Sequence, residues 1–151
     1  MLEVGDSAPQ FTVLDDSGNP FVLSDLKGKQ VVLYFYPKDD TPGCTREACD
    51  FRDNIAAFKK QGAVILGVSK DSERAHQKFK DKYDLTFPLL VDEAGKLCEA
   101  YGVLGEKSMF GKKYQGVNRI TFLIDEKGII KKIWHKVKVD GHVAEVLKSL
   151  S

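Results

Sequence analysis

The chain has 151 residues, with 23 basic against 22 acidic side chains and a formal net charge of +1. That length holds one domain with a substantial core, expected over 1–151, and no block of like charge is long enough to act as a nucleic-acid arm or a polybasic membrane patch. Three cysteines, an odd number, without a signal segment argue against a secreted disulfide scaffold and for a reducing, cytoplasmic setting, with a processed organellar form left open; no apolar run is long enough to span a bilayer.

Residues 11–14 and 21–23, separated by the turn-forming cluster Asp15-Asp16-Ser17-Gly18-Asn19-Pro20, read as the arms of a β-hairpin. Residues 24–28 read as one tight helical turn. The apolar run from Val31 to Tyr36 then predicts a buried strand over 30–36. Pro37, Asp39 and Asp40 punctuate its end. Thr41 stands where a helix N-cap belongs and Pro42 at the first helical position, so a helix is expected from there to Gly62.

The continuous apolar run 63–69 suits a strand covered on both faces. Residues 72–83 read as a helix, 88–91 as a short strand, and 94–101 as a helix ended by Gly102. The segment 104–116 contains Gly and Lys without a clear period, and is expected to be a loop. Residues 119–124 and 129–134, joined by Asp125-Glu126-Lys127-Gly128, predict a hairpin, and a helix over 141–150 closes the chain. Lys127, Lys131, Lys132, Lys136 and Lys138 read as a solvated face. Strand and helix alternate through the middle of the chain, which predicts an α/β layer architecture.

Cys44 falls in the first turn of the helix that Thr41 and Pro42 open. Backbone N–H groups there lack intrahelical partners and, with the helix macrodipole, favour a negative charge, so this thiol is expected to ionise more easily than a free cysteine. Cys49 follows five residues later. Five residues of helix turn about 500° and rise about 7.5 Å, placing the two Cα atoms roughly 8.7 Å apart on different faces. A disulfide needs Cα atoms closer than ~7 Å, so the two thiols can pair only if the helix start comes apart. Cys98 shares a face with Ala94, Leu97 and Tyr101 and is expected in the core.

Pro37, Thr41 and Cys44, followed by Glu47 three residues on, and the run from Arg119 to Asp125 give the chain a strong likeness to a known family. It resembles the peroxiredoxins over nearly its full length, most closely the Q subgroup, also called bacterioferritin comigratory protein. The resemblance implies a thioredoxin-like fold, with a central mixed β-sheet flanked by helices and an N-terminal β-hairpin extension. It implies thiol-dependent reduction of hydrogen peroxide and organic hydroperoxides, with no cofactor or metal. Cys44 would be the peroxidatic and Cys49 the resolving thiol, recycled by thioredoxin or a glutaredoxin-like dithiol protein, in a monomer or a dimer.

The residues themselves make sense of that chemistry. Thiolate attack on a peroxide oxygen expels hydroxide or alkoxide, so a site must activate sulfur and stabilise charge on oxygen. Thr41 and the N–H groups of Gly43 and Cys44 can hydrogen-bond sulfur or peroxide. The forked guanidinium of Arg119 can hold both together, and Glu47 can fix it through a bidentate pair. Pro37 and Pro42 would shield the sulfur and shape the turn. The plainer alternatives are a helix cap for Thr41 and an ordinary ion pair for Arg119 and Glu47.

Three other functions are weighed against this one. A thioredoxin-type oxidoreductase would carry Cys-x-x-Cys, which is absent. A metal module would need paired ligands, whereas His76, His135 and His142 lie far from the cysteine helix in sequence. A non-catalytic redox sensor or holdase chaperone could use the same Cys44 to Cys49 switch, and turnover separates it from a peroxidase.

Overall fold

The computed structural model describes residues 1–150; Ser151, the last residue of the expected domain, lies outside them. In chain order the elements are β1 (Thr12–Asp15), β2 (Pro20–Val22), a 3₁₀ turn (Leu23–Leu26), β3 (Gln30–Phe35), α1 (Pro42–Asp53), α2 (Ile55–Lys60), β4 (Ala63–Ser69) and α3 (Glu73–Tyr83). They continue with β5 (Leu89–Val91), α4 (Lys96–Ala100), β6 (Leu104–Met109), β7 (Lys112–Val117), β8 (Ile120–Ile124), β9 (Ile130–Trp134) and α5 (His142–Lys148).

Seven strands form one mixed sheet in the order β2-β1-β5-β4-β3-β8-β9. The β3–β4 and β4–β5 pairs are parallel, as strands with helical crossovers must be, while β8 lies antiparallel against β3 and the N-terminal hairpin joins the edge through β1 and β5. All six residues of β3 are buried, because side chains of alternate residues enter two different cores. Val31, Leu33 and Phe35 pack with Leu97, Cys98 and Tyr101 on the α4 side. Val32, Tyr34 and Tyr36 pack with Cys44, Ala48 and Phe51 of α1, and with Phe58, Phe79, Val143 and Val146, on the side of α1, α2, α3 and α5. Cys98 is fully buried, as expected of it.

Two expectations are corrected. The helix expected to run to Gly62 breaks at Asn54, which has φ −109° and ψ 9°. Its Nδ2 donates to the Asp50 carbonyl at 2.8 Å, so the side chain takes an acceptor that continuing helix would have used. The segment expected as a loop is a two-stranded ribbon, β6 paired antiparallel with β7 from Leu104↔Val117 to Met109↔Lys112. Phe110 and Gly111 both have positive φ, the signature of a tight type I′ turn. Among the described residues no helix is long and apolar enough to cross a membrane.

Candidate active site

Helix α1 buries Cys44, Glu47, Ala48 and Phe51, a stripe at three- and four-residue spacing that sets the first thiol and the carboxyl on the face turned to the sheet. Phe51 anchors the stripe, stacked on Tyr34 at 4.6 Å between ring centroids. Cys49 lies off the stripe and is half-buried. Burial pushes its thiol above the ordinary value. Both thiols are free and belong to one unbroken helix, the arrangement expected of the reduced chain.

The loop leading into α1 is held from below. Tyr36 donates its hydroxyl to Asp39 Oδ1 at 2.5 Å, and Asp39 Oδ2 meets His76 Nδ1 at 2.6 Å. His76 also donates from Nε2 to the Leu90 carbonyl at 2.8 Å, and the Asp39 N–H donates to Asp71 Oδ2 at 2.9 Å. Burial opposes a charge on His76, but the hydrogen bond and charge of Asp39 outweigh it and hold its pKa above the ordinary value. Ligating atoms of Asp39, Asp71 and His76 lie within 4.8 Å of one another, and all are engaged in these hydrogen bonds. Asp40, at φ 58°, is tied by Lys82 and Tyr83 at 2.8 Å each. The turn before Cys44 is thus fastened to α3.

Thr41 occupies the N-cap position by backbone geometry, with φ −96° and ψ 154°, but its side chain caps nothing. Its Oγ1 donates back to the Lys38 carbonyl at 2.8 Å. Among the described residues the helix start therefore has no side-chain cap, which leaves the N–H groups of Gly43 and Cys44 to a ligand. This corrects the reading of Thr41 as a side-chain cap. Pro42 is exposed at the first helical position and Pro37 half-buried in the turn.

Arg119, just ahead of β8, closes the site. Its Nη2 donates to Cys44 Sγ at 3.3 Å and its Nη1 to Glu47 Oε1 at 2.7 Å. The expected bidentate pair with Glu47 is not formed, since the fork is divided between carboxyl and sulfur. Gly43 makes room for it: a Cβ there would stand 3.2 Å from Nη2. The guanidinium charge stands beside the sulfur, where it can stabilise negative charge that develops on a reacting oxygen.

Behind this group lies a polar patch that the sequence analysis did not find. Glu47 is 0% exposed, and Oε2 has no hydrogen-bond partner among the described residues. His142 Nε2 stands 3.9 Å from that oxygen and 2.9 Å from Thr121 Oγ1. Burial, only partly offset by Arg119, pushes the Glu47 carboxyl from 4.5 up to about 7. Burial likewise lowers His142 from 6.5 to about 4. Only the sequence signal for Glu47, its place three residues after Cys44, pointed here. His142 lies far from it along the chain and carries no such signal.

A sheet of this topology, presenting a thiol at a helix start under a forked arginine, defines a thiol peroxidase of thioredoxin-like fold. The family model of the AhpC/TSA family matches residues 4–133. A putative peroxiredoxin bcp of Coxiella burnetii is 60% identical over 149 residues, covering 99% of each chain. Peroxiredoxin Bcp of Bacillus subtilis is 55% identical over 149 residues, 99% of this chain and 95% of that one. The bacterioferritin comigratory protein of Xanthomonas campestris, solved in trapped intermediate and ligand complexes bearing on its alkyl peroxide reduction, is similar at a TM-score of 0.89. It is 40% identical, over 96% of this chain and 97% of that chain. The chain belongs to the AhpC/TSA family and, within it, to the Bcp or peroxiredoxin Q subfamily. It is a Bcp-type thiol peroxidase, reducing peroxides through cysteine.

Proposed function

We propose that Cys44 attacks the peroxide, that Cys49 resolves the product within the same helix, and that a thioredoxin-type or glutaredoxin-like dithiol protein restores both thiols. The observation that carries this reading is the Arg119 Nη2 contact with Cys44 Sγ beside two open helix-start N–H groups. In the first step sulfur bonds the terminal peroxide oxygen and the O–O bond breaks. Cys44 becomes a sulfenic acid, and the other oxygen leaves as hydroxide or alkoxide, which takes up a proton. Arg119 and the N–H groups of Gly43 and Cys44 stabilise the charge that grows on oxygen. The Thr41 hydroxyl donates its hydrogen bond to the Lys38 carbonyl, so its oxygen is left to accept from the peroxide O–H. Glu47 positions Arg119, while Pro37 and Pro42 wall the turn.

In the second step Cys49 gives up its proton and its sulfur attacks the sulfenic sulfur; the S–S bond forms, the S–O bond breaks, and the leaving oxygen takes up one proton to depart as water. Both thiols belong to one chain, so a monomer suffices for the cycle. The substrates are hydrogen peroxide and organic hydroperoxides; reduction of alkyl peroxide is described for the Xanthomonas campestris relative. The test is peroxide consumption with thioredoxin, thioredoxin reductase and NADPH, beside mass spectrometry of Cys49→Ser after one equivalent of peroxide. Sustained turnover of the parent and one oxygen on Cys44 of the variant are expected. Turnover that survives Cys44→Ser, or oxygen placed mainly on Cys98, overturns the assignment.

A further inference from the structure

Glu47 is a buried carboxyl with one oxygen held and one oxygen bare. Oε1 accepts from Arg119 at 2.7 Å, and Oε2 accepts from nothing among the described residues. The groups that face it come from every element around it. Arg119, ahead of β8, is the cation. From α5 comes His142, kept neutral by burial and bonded through Nε2 to Thr121. From β3 comes Tyr34, whose buried hydroxyl is also unpartnered and whose phenol is held protonated first by burial and then by Glu47 and Cys44. Within α1 itself stand Cys44, one turn back, and Asp50, which disfavours a second charge.

One guanidinium therefore serves two groups that can each be anionic, the sulfur on Nη2 and the carboxyl on Nη1. While Cys44 is a thiolate, a Glu47 carboxylate would be a second buried anion with a bare oxygen, which costs far more than a neutral carboxylic acid in the same place. The acid still accepts from Arg119 through Oε1. Once sulfur has become neutral, Arg119 has lost its anion and a carboxylate at Glu47 is the better partner.

We propose that Glu47 is protonated while Cys44 is a thiolate and ionises when the sulfur becomes neutral, so that the buried group keeps a constant net charge through peroxide attack. The inference rests on the reading of Cys44 as the attacking thiolate. The balance closes. Thiolate, guanidinium and carboxylic acid sum to zero; so do sulfenic acid, guanidinium and carboxylate. Attack forms the S–O bond, breaks the O–O bond and releases an oxyanion that needs one proton, and Glu47 releases one. Glu47 touches neither sulfur nor peroxide and acts through Arg119, so it is a positioning residue whose charge follows the redox state.

The test is infrared difference spectroscopy of protein labelled with carboxyl-¹³C glutamate, at a pH where alkylation of Cys44 has reached its plateau rate. The reduced parent should show the C=O stretch of a protonated carboxyl that shifts on labelling. The band should vanish in Cys44→Ser, whose neutral hydroxyl stands in for neutral sulfur, and in Cys49→Ser after one equivalent of hydrogen peroxide. An equal band in the parent and Cys44→Ser, or no such band in the reduced parent, overturns the inference. If the parent turns over peroxide and Cys44→Ser does not, while the band is the same in both, this inference fails alone. Turnover by Cys44→Ser would instead remove the peroxidase reading beneath it.

Discussion

Nη2 of Arg119 stands 3.3 Å from Sγ of Cys44 while the other arm of the same guanidinium is fastened to Glu47. The fork thus has a fixed end and a working end. A lysine keeps the charge but has no second, rigidly placed donor. Arg119→Lys should slow peroxide attack by about 100-fold or more, the cost of a lost alignment, while circular dichroism and thermal midpoint change little. Rapid-mixing kinetics of the reduced protein give the rate, and a variant as fast as the parent would reduce Arg119 to a structural ion pair.

Gly43 tests the same contact from the other side. An added Cβ would sit 3.2 Å from Nη2, close enough that the guanidinium must retreat by a few tenths of an ångström. Alanine should also stiffen the helix by about 0.5–1 kcal/mol. Gly43→Ala is therefore expected to attack peroxide more slowly while melting at the same temperature or higher. A variant with an unchanged attack rate would show that Arg119 has slack.

Glu47 and His142 should pull on stability with opposite signs. The Glu47 carboxyl binds its proton more tightly in the folded chain, at about 7 against 4.5. Its contribution is whole below 4.5 and is lost as pH rises to about 7, by about 3 kcal/mol. His142 resists its proton when folded, at about 4 against 6.5, so stability is lost as pH falls through that interval by a similar amount. Between 4.5 and 6.5 the two slopes oppose and nearly cancel. Glu47→Gln should leave stability that rises with pH from about 4 to 6.5. His142→Asn should leave stability that falls from 4.5 to about 7. Denaturant melts across this range decide it, and slopes of the same sign in both variants would refute the pairing.

Disulfide formation should be visible as lost helix. The thiols share α1, where five residues hold Cα atoms roughly 8.7 Å apart, beyond the ~7 Å a disulfide spans. Hydrogen exchange is expected to show amides of about residues 43–50 losing protection on oxidation, with β3, β4 and β8 unchanged. Cys49→Ser should show no such loss. Equal protection in a protein with a verified Cys44 to Cys49 disulfide would contradict the need to unwind.

The readable parts of this fold are those where burial and local chemistry agree. The runs that became β3, β4 and β8 are apolar because both faces are covered, and the Thr41-Pro42 helix start follows from backbone rules alone. The β6–β7 ribbon was missed because most of its residues are exposed or half-buried, so no alternation marks it. The break at Asn54 depends on one side chain reaching back to Asp50. Cys44, Glu47 and Arg119 carry a recognisable pattern. His142, Thr121, Asp39 and His76 do not, because their meaning comes from the packing of α3 and α5 against distant strands.

The break at Asn54 makes two short helices where one long one would have been continuous. Phe51 is clamped by Tyr34, Phe58 and Phe87, and α2 begins afresh beyond it with Phe58 fully buried. Unravelling that begins at Pro42 thus meets a stop before it reaches the second helix. If Cys49 resolves as proposed, the loosened turns would carry Cys44 and Ala48 away from Val32, Tyr34 and Tyr36, while Phe51, Phe58 and Phe87 stay packed together on the same side of the sheet. The surface uncovered at each turnover would then be confined to the helix start.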